Sequence, residues 1–368
     1  MIWTTLIAGG LYLVIISLFL FGWEKIKAYS PIPHQFHSVI SVIIPMRNEE
    51  TNIKRLLLDL LKQNYPSKLI EVIVIDDHST DNSLSEVKPF FSENVHLFSL
   101  PKGLTGKKAA LTLGIENARG GIILTTDADC RVPETWLSTI ACYFDDYSPS
   151  LLLSPVCGIS HSFFGDMQAL EIYSLQGSTA GAVAIRHPIM SNGANLAFPK
   201  KIYHEFRYLY EESKIQSGDD IFLLHKLKCK YPGGIHYLKS KQAAVYTELP
   251  SNLSSFFRQR KRWTSKAMFY TDADTIVTAV IVLGMNVALF STIIYGMFSG
   301  NIFPFMTLFI TKSFIDFIFL TRVTSFFGQK RLLWLFPIVQ SFYFLYVCLT
   351  VFSAFFTSNS WKERSIKY

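Results

Sequence analysis

The sequence predicts a mixed α/β protein with a mostly parallel sheet, flanked by helices apolar enough to sit in a bilayer. Three observations predict this. Short, fully apolar runs alternate with helical patterns after the first forty residues. Uncharged stretches near both ends of the chain reach or exceed the roughly 20 residues that cross a bilayer. Clusters of carboxylates fall directly after the apolar runs, where open parallel sheets bind their ligands.

The strand candidates are residues 39–44, 71–75 and 121–125, runs of Val, Ile and Leu whose lack of alternation suits strands buried on both faces. Between the first two lies a helical pattern with Leu56, Leu57, Leu60 and Leu61 on one face, Asn48 as its cap and Pro66 closing the segment. A second helix is expected from Lys107 to Ala118. Strands that alternate with helices imply a doubly wound sheet. No glycine-rich GxGxxG follows any of the strands, which argues against a dinucleotide cofactor.

The ends of the chain read differently. Of 368 residues, 49% are hydrophobic and only 17% charged, with 31 Phe, a balance too apolar for an ordinary soluble enzyme. Residues 1–23 carry no charge, and Glu24, Lys25 and Lys27 follow. That order is opposite to a signal peptide, so the segment is expected to be a retained anchor with its amino end outside. Residues 24–37 form a linker, and residues 38–250 a cytosolic catalytic domain. Residues 251–274 read as an interface helix, residues 275–357 as membrane helices and residues 358–368 as a basic tail. Three spans are expected at 276–298, 302–320 and 332–356, with a basic loop of Arg322, Lys330 and Arg331 before the last. The basic tail then falls on the outside, which the charge rule disfavours, so its side stays open. Lys312 and Asp316 lie one helical turn apart inside the second span and are expected to neutralise each other.

The net charge is +7. Its densest run, Arg258, Arg260, Lys261, Arg262 and Lys266, precedes a long apolar region, a placement that fits a membrane surface. No nucleic-acid motif is visible, and no nucleic-acid partner is expected. The five cysteines have no metal-site spacing and an odd count, which suits a reduced compartment. The expectation is an integral protein of a bacterial inner membrane.

Four polar motifs, and a shorter run at the start of the second helix, carry chemistry. Asp127-Ala128-Asp129 offers two carboxylates to one hard cation, Mg²⁺ or Mn²⁺, which prefers oxygen ligands and bridges to phosphate. Asp76 and Asp77 end the second strand, where a carboxylate accepts hydrogen bonds from a nucleotide's base or ribose. In Ser217-Gly218-Asp219-Asp220, one carboxylate is suited to deprotonate an attacking hydroxyl; Asp220 is preferred, with Asp219 as an orienting neighbour. Gln259-Arg260-Lys261-Arg262-Trp263 lies on an amphipathic helix with an apolar stripe of Leu253, Phe256, Phe257, Trp263 and Ala267. That helix would offer Arg262 to a diphosphate and Trp263 to a sugar ring. Gly106-Lys107-Lys108 opens the second helix, where backbone N–H groups and a lysine meet phosphate.

Taken in order, these motifs resemble glycosyltransferase family 2, whose catalytic domain has the GT-A fold, and the last fits the Q-x-x-R-W pattern of its membrane-integrated members, such as ceramide glucosyltransferases and poly-N-acetylglucosamine or hyaluronan synthases. The resemblance covers roughly Ser38 to Lys266. It implies that Asp76 and Asp77 hold uridine, with Pro45 and Glu49 beside the nucleotide-sugar, and that Lys107 touches phosphate. It implies that Asp127 and Asp129 hold the metal and diphosphate, and that Asp220 is the base of an inverting displacement. Gln259, Arg262 and Trp263 would frame the diphosphate and acceptor, and Asn195, in Ser191-Asn192-Gly193-Ala194-Asn195, would lie near the acceptor with Asp219. The chain departs from the family where Asp219-Asp220 replaces the usual Glu-Asp. The implied activity is transfer of a sugar, UDP-linked in most of the family, to a membrane-associated acceptor. Few and strongly apolar spans favour a lipid acceptor over a polymer extruded through the membrane. A non-catalytic nucleotide-sugar-binding protein is the remaining reading, disfavoured because Asp127, Asp129 and Asp220 are all present.

Overall fold

The computed structural model describes residues 2–32, 35–212, 219–356, 359–361 and 364–366. The chain forms two compact units. One gathers residues 27–157, 190–248 and 361–368, and the other residues 1–26, 158–189 and 249–360.

The helical unit begins with α1 (Ile2–Lys25), and the sheet unit with β1 (Ile40–Met46), α2 (Ile53–Leu61), β2 (Ile70–Asp76), α3 (Ser83–Val87) and β3 (Val95–Ser99). Then come α4 (Lys107–Asn117), β4 (Ile122–Thr125), β5 (Cys130–Arg131), α5 (Trp136–Tyr147), β6 (Leu151–Leu153) and β7 (Val156–Ile159). After α6 (Phe163–Ala184) of the helical unit, the sheet unit resumes with β8 (Leu196–Pro199), α7 (Lys200–Glu212), α8 (Asp219–Lys230), β9 (Ile235–Tyr237) and β10 (Val245–Glu248). Among the described residues a seven-stranded sheet has the order β3-β2-β1-β4-β8-β6-β9. β3, β2, β1 and β4 run parallel, β8 runs antiparallel to β4 and β6, and β9 is parallel to β6. A smaller sheet has the order β5-β10-β7.

The expected strands are present, each within two residues of its expected bounds. Their apolar runs are buried because helices cover them: Ile40, Val42 and Ile44 meet Leu56, Leu57 and Leu60 of α2 in one core. Two expectations are corrected. Leu61 is 65% exposed, since it ends the helix and turns past the core-facing stripe. Asn48 is not the cap of α2; Asn52 holds that position, while Asn48 turns the chain at a φ of 51° and accepts from the Thr80 N–H at 2.8 Å. Asn tolerates this left-handed conformation better than most residues.

Far from the carboxylate motifs along the strands, Glu71 is buried at the start of β2. Its carboxylate accepts from the Ser41 hydroxyl, from the Arg119 N–H at 2.7 Å and from Arg119 Nε at 2.8 Å. Burial pushes its pKa up, but these hydrogen bonds and the Arg119 charge outweigh that and hold it below the usual carboxylate range.

In the helical unit, α1 and α6 are joined by α9 (Leu253–Ser265), α10 (Ala273–Ser299), α11 (Phe303–Phe327) and α12 (Phe336–Phe356). Among the described residues, four helical stretches are long and apolar enough to cross a bilayer: Thr5–Lys25, Ala273–Ser299, Phe303–Phe327 and Lys330–Ala354. Arg322, expected in a loop, lies inside α11, which runs about two turns further than its apolar stretch suggests. α1 crosses α6 at Gly22 and Gly181, where a Cβ on either would overlap the other helix's backbone. Small residues let helix backbones approach in this way where no hydrophobic force drives them together.

Lys312 and Asp316 pair within α11 at 2.6 Å, as expected, and recruit two neighbours. Tyr12 of α1 donates to Asp316 at 2.8 Å, and the Gln340 amide of α12 donates to the same carboxylate at 3.1 Å. Gln340 also accepts from Lys312 at 3.4 Å. The cluster satisfies a charge pair that would otherwise be costly in an apolar surround.

Candidate active site

The carboxyl ends of β1, β2 and β4 carry the expected polar residues. β1 ends on Pro45 and Met46, and the chain then turns through Arg47, Asn48 and Glu49. Pro45 is half-buried, pairing in register with Ile75. Glu49 is tied locally: its N–H donates to Ser83 Oγ at 2.7 Å and its carboxylate accepts from Asn52 at 2.9 Å.

Asp76 and Asp77 end β2 and are almost fully buried, at 3% and 1%. Asp76 Oδ1 accepts from the Ser79 N–H at 3.1 Å, which ties down the turn after β2. Asp77 Oδ2 accepts from the Gly106 N–H at 3.0 Å, which ties β2 to the start of α4. Gly106 adopts a φ of 97°, a conformation that glycine alone reaches without strain. His78 follows at a φ of 53°, which costs a non-glycine residue about 1–3 kcal/mol and needs a surround that holds it. Arg47 supplies part of that hold: buried beneath the turn, it donates from Nη1 to the Asp77 carbonyl at 2.6 Å and the His78 carbonyl at 2.9 Å. Arg47 belongs to none of the motifs found in the sequence. Its signal was an arginine directly after a buried strand, where a guanidinium must find carbonyl partners.

Asp127 and Asp129 follow β4. Asp127 is partly exposed and accepts from the Lys107 ammonium at the start of α4. Asp129 Oδ1 accepts from the Cys130 thiol at 3.7 Å. Burial, and then the Asp129 and Asp127 carboxylates, push that thiol well up.

Gly193 links these groups to Asp220. Its N–H donates to Asp220 Oδ2 at 3.0 Å, and its carbonyl accepts from Thr125 of β4 at 2.7 Å. A Cβ built on Gly193 would stand 3.5 Å from Lys107 Nζ and 3.6 Å from Asp220 Cβ. Asp127, Lys107, Gly193 and Asp220 therefore form one contiguous group, drawn from β4, α4, the 190–195 turn and the first turn of α8. The side chain of Asp219 and the residues Ser217 and Gly218 lie outside the described residues. Asn195, expected near the acceptor, is corrected: it is 1% exposed. Its amide is committed to Trp136 Nε1 at 3.0 Å and to the Pro155 and Ala243 carbonyls, both at 2.8 Å. It braces the core behind the 190–195 turn. Gly193, two residues earlier, is what approaches the charged groups.

In the helical unit, Gln259, Arg262 and Trp263 lie on α9 and are each partly exposed. The expected apolar stripe is only partly seen. Phe256 is buried, but Leu253 is 61% exposed and Ala267 lies beyond the helix on the surface, while Arg260 takes the buried position.

Fold and site together define a class: a mixed α/β domain of the GT-A kind, with acidic residues gathered at the carboxyl ends of a mostly parallel sheet. Residues 41–205 match the family model described as Glycosyl transferase family 2, and this stretch of the chain is a glycosyltransferase domain of that family. It includes Asp76, Asp77, Lys107, Asp127 and Asp129, and stops short of Asp220 and the 259–263 motif. A probable glycosyltransferase of Sulfolobus acidocaldarius is 26% identical over 251 residues, which cover 65% of this chain and 51% of that protein. The poly(ribitol-phosphate) beta-N-acetylglucosaminyltransferase TarS of Staphylococcus aureus is 31% identical over 121 residues, covering 33% of this chain and 21% of TarS. The chain thus spans about half the length of the first relative and a fifth of the second. Among solved structures, the mannosyltransferase PcManGT of Pyrobaculum calidifontis, in complex with GDP-Man and Mn²⁺, superposes with a TM-score of 0.60 at 18% identity, over 94% of this chain and 98% of that one. The likeness is one of fold.

Proposed function

We propose that this chain is a membrane-integrated, inverting glycosyltransferase that moves a sugar from a UDP-linked donor to a lipid hydroxyl. The observation that carries this is the contiguous group of Asp127, Lys107, Gly193 and Asp220 at the mouth of the sheet. Asp76 and Asp77 lie at the neighbouring strand end, where their carboxylates and the turn they shape suit a uridine, with Pro45 and Glu49 lining the nucleotide side. Lys107, at the amino end of α4, is placed to meet diphosphate together with the N–H groups of that helix's first turn.

Asp127 and Asp129 suit a divalent cation, Mg²⁺ or Mn²⁺. Among the described residues no three His, Cys, Asp or Glu side chains gather into a closed cage. Two carboxylates acting together with substrate phosphates suit a cation of this kind. A cation held by Asp127 and Asp129 would supply positive charge against the negative charge that gathers on the departing diphosphate. Asp220 accepts the proton of the attacking hydroxyl as the new bond to the anomeric carbon forms and UDP leaves, which inverts that carbon. The Gly193 N–H bond to Oδ2 orients the carboxylate for this role.

By their motif, Gln259, Arg262 and Trp263 serve the diphosphate and acceptor, with Asp219 beside the base. The remaining topology is part of the same proposal. Residues 1–23 anchor the chain, residues 24–37 link the anchor to a cytosolic domain at 38–250, residues 251–274 lie at the membrane surface, and residues 275–357 span it. Lys25 and Lys27 on one side and Lys330 and Arg331 on the same side fit the positive-inside rule.

Asp220→Asn tests the base. It retains the carbonyl oxygen that accepts from Gly193 and loses only basicity. UDP-sugar binding is expected to stay within about twofold, while transfer falls by about 10²–10⁴. Near-normal turnover in this variant would sink the assignment. Asp129→Ala is expected to remove the Mn²⁺-dependent part of UDP-sugar affinity in calorimetry, and an unchanged metal dependence would count against the metal assignment.

A further inference from the structure

Among the five basic residues of the 258–266 run, Arg260 alone is buried, at 3% exposure. A guanidinium in that position needs full compensation. Glu171, at mid-length of α6, provides it: Oε2 accepts from Arg260 Nε at 3.0 Å and from Nη2 at 2.8 Å. Two charge-assisted donors that converge on one carboxylate oxygen hold the guanidinium in place. The other oxygen, Oε1, accepts from the Tyr346 hydroxyl of α12 at 3.0 Å.

The free edge and face of the guanidinium are spent on the motif itself. Nη1 donates to Gln259 Oε1. The Trp263 ring lies 4.4 Å from the guanidinium carbon and the Phe256 ring 4.7 Å from it, both within cation–π range. One buried arginine therefore grips Gln259 and Trp263, and is itself held by Glu171 of α6, which Tyr346 of α12 holds in turn. Tyr346 is held in turn. Its ring lies 5.7 Å from Tyr343, whose ring faces the Lys312 ammonium at 4.8 Å.

We infer that Arg260 and Glu171 are positioning residues for sugar transfer: their buried pair, completed by Tyr346, fixes the rotation of α9 and so presents Gln259 and Trp263 in one orientation. This rests on the proposed role of Gln259 and Trp263 at the acceptor. Arg260 occupies one of the two unspecified positions of the Q-x-x-R-W pattern, so the motif alone gives it no task.

Glu171→Gln tests the pair in the full-length protein in lipid nanodiscs. It keeps the side chain's shape and removes its charge. The donor probes are UDP-glucose, UDP-N-acetylglucosamine and GDP-mannose. The acceptor probe is a vesicle of phosphatidylethanolamine and phosphatidylglycerol doped with diacylglycerol and a polyprenyl phosphate. Amide exchange of residues 256–265 is expected to rise about tenfold. The apparent KM for the acceptor vesicles is expected to rise about tenfold while donor affinity stays within about twofold, a split that general destabilisation would not produce. Arg260→Lys keeps the charge but not the fork, and is expected to behave like Glu171→Gln. Tyr346→Phe removes one hydroxyl, shifts both readouts in the same direction by less, and carries the test if the charge variants fail to fold. Wild-type exchange over 256–265 and wild-type acceptor KM in these variants would overturn the inference. A wild type that transfers none of the three sugars sinks the functional reading instead. In that case the exchange of α9 alone decides whether the pair holds it: faster exchange upholds the clasp and unchanged exchange overturns it.

Discussion

At the scale of single residues, charge in the sheet unit falls into two kinds. Some is fully partnered and structural. Glu71, with Ser41 and Arg119, closes the sheet end away from the site, and its depressed pKa makes a sign-definite prediction. A carboxyl held below its unfolded value contributes stability that is present above that value, about 4.5, and lost as pH falls through the lower folded one. Glu71→Gln is therefore expected to lower stability by about 1–3 kcal/mol at pH 7 in urea unfolding of the sheet unit. The same variant is expected to lose part of the wild type's decline in acid below that range. An unchanged midpoint at pH 7 would show that the network is not stabilising. Other charge is gathered at the carboxyl ends of the strands. Asp127 is partly exposed and shared with Lys107, and Asp220 rests on the Gly193 N–H. Local sequence flagged both carboxylates because each stands in an acidic pair next to a glycine or a strand end. It could not flag Gly193 as the residue that joins Lys107 to Asp220, because the groups come from separated segments. It misassigned Asn195 for the related reason that an amide beside a functional turn looks the same whether it faces a ligand or, as here, Trp136 and two carbonyls.

At the scale of elements, uninterrupted apolar runs made β1, β2 and β4 legible within two residues, because strands buried on both faces tolerate little else. Elements with mixed surroundings were harder to read. α6 carries Gln168, Glu171, Gln176 and several glycines along a helix that packs with α1 and α11, and no simple period marks it. Its glycines have a mechanical role. Gly181 meets α1 at Gly22 and Phe19 with no room for a side chain. Gly181→Val is expected to push the two helices apart and lower the melting temperature of the detergent-solubilised protein, at a cost of about 1–3 kcal/mol or more. A melting temperature equal to the wild type's would refute the close crossing. On α9, an amphipathic pattern was anticipated, but Arg260 replaces an apolar residue on the buried side. Hydropathy alone cannot see an arginine neutralised by a glutamate 89 residues earlier.

At the scale of the whole molecule, a glycosyltransferase family 2 domain is combined, among the described residues, with four helical stretches long and apolar enough to cross a bilayer. The proposed activity accounts for both: a donor site at the sheet's carboxyl ends, and an acceptor that resides in lipid. The most direct measurement is the fate of radiolabelled sugar supplied as a nucleotide-sugar to vesicles that contain the purified protein and extracted membrane lipid. The account predicts label in the organic extract on a lipid carrying one sugar, with UDP released in equal amount, and neither product from Asp220→Asn. Label only in a long water-soluble saccharide, or no nucleotide released from any sugar donor, would contradict it.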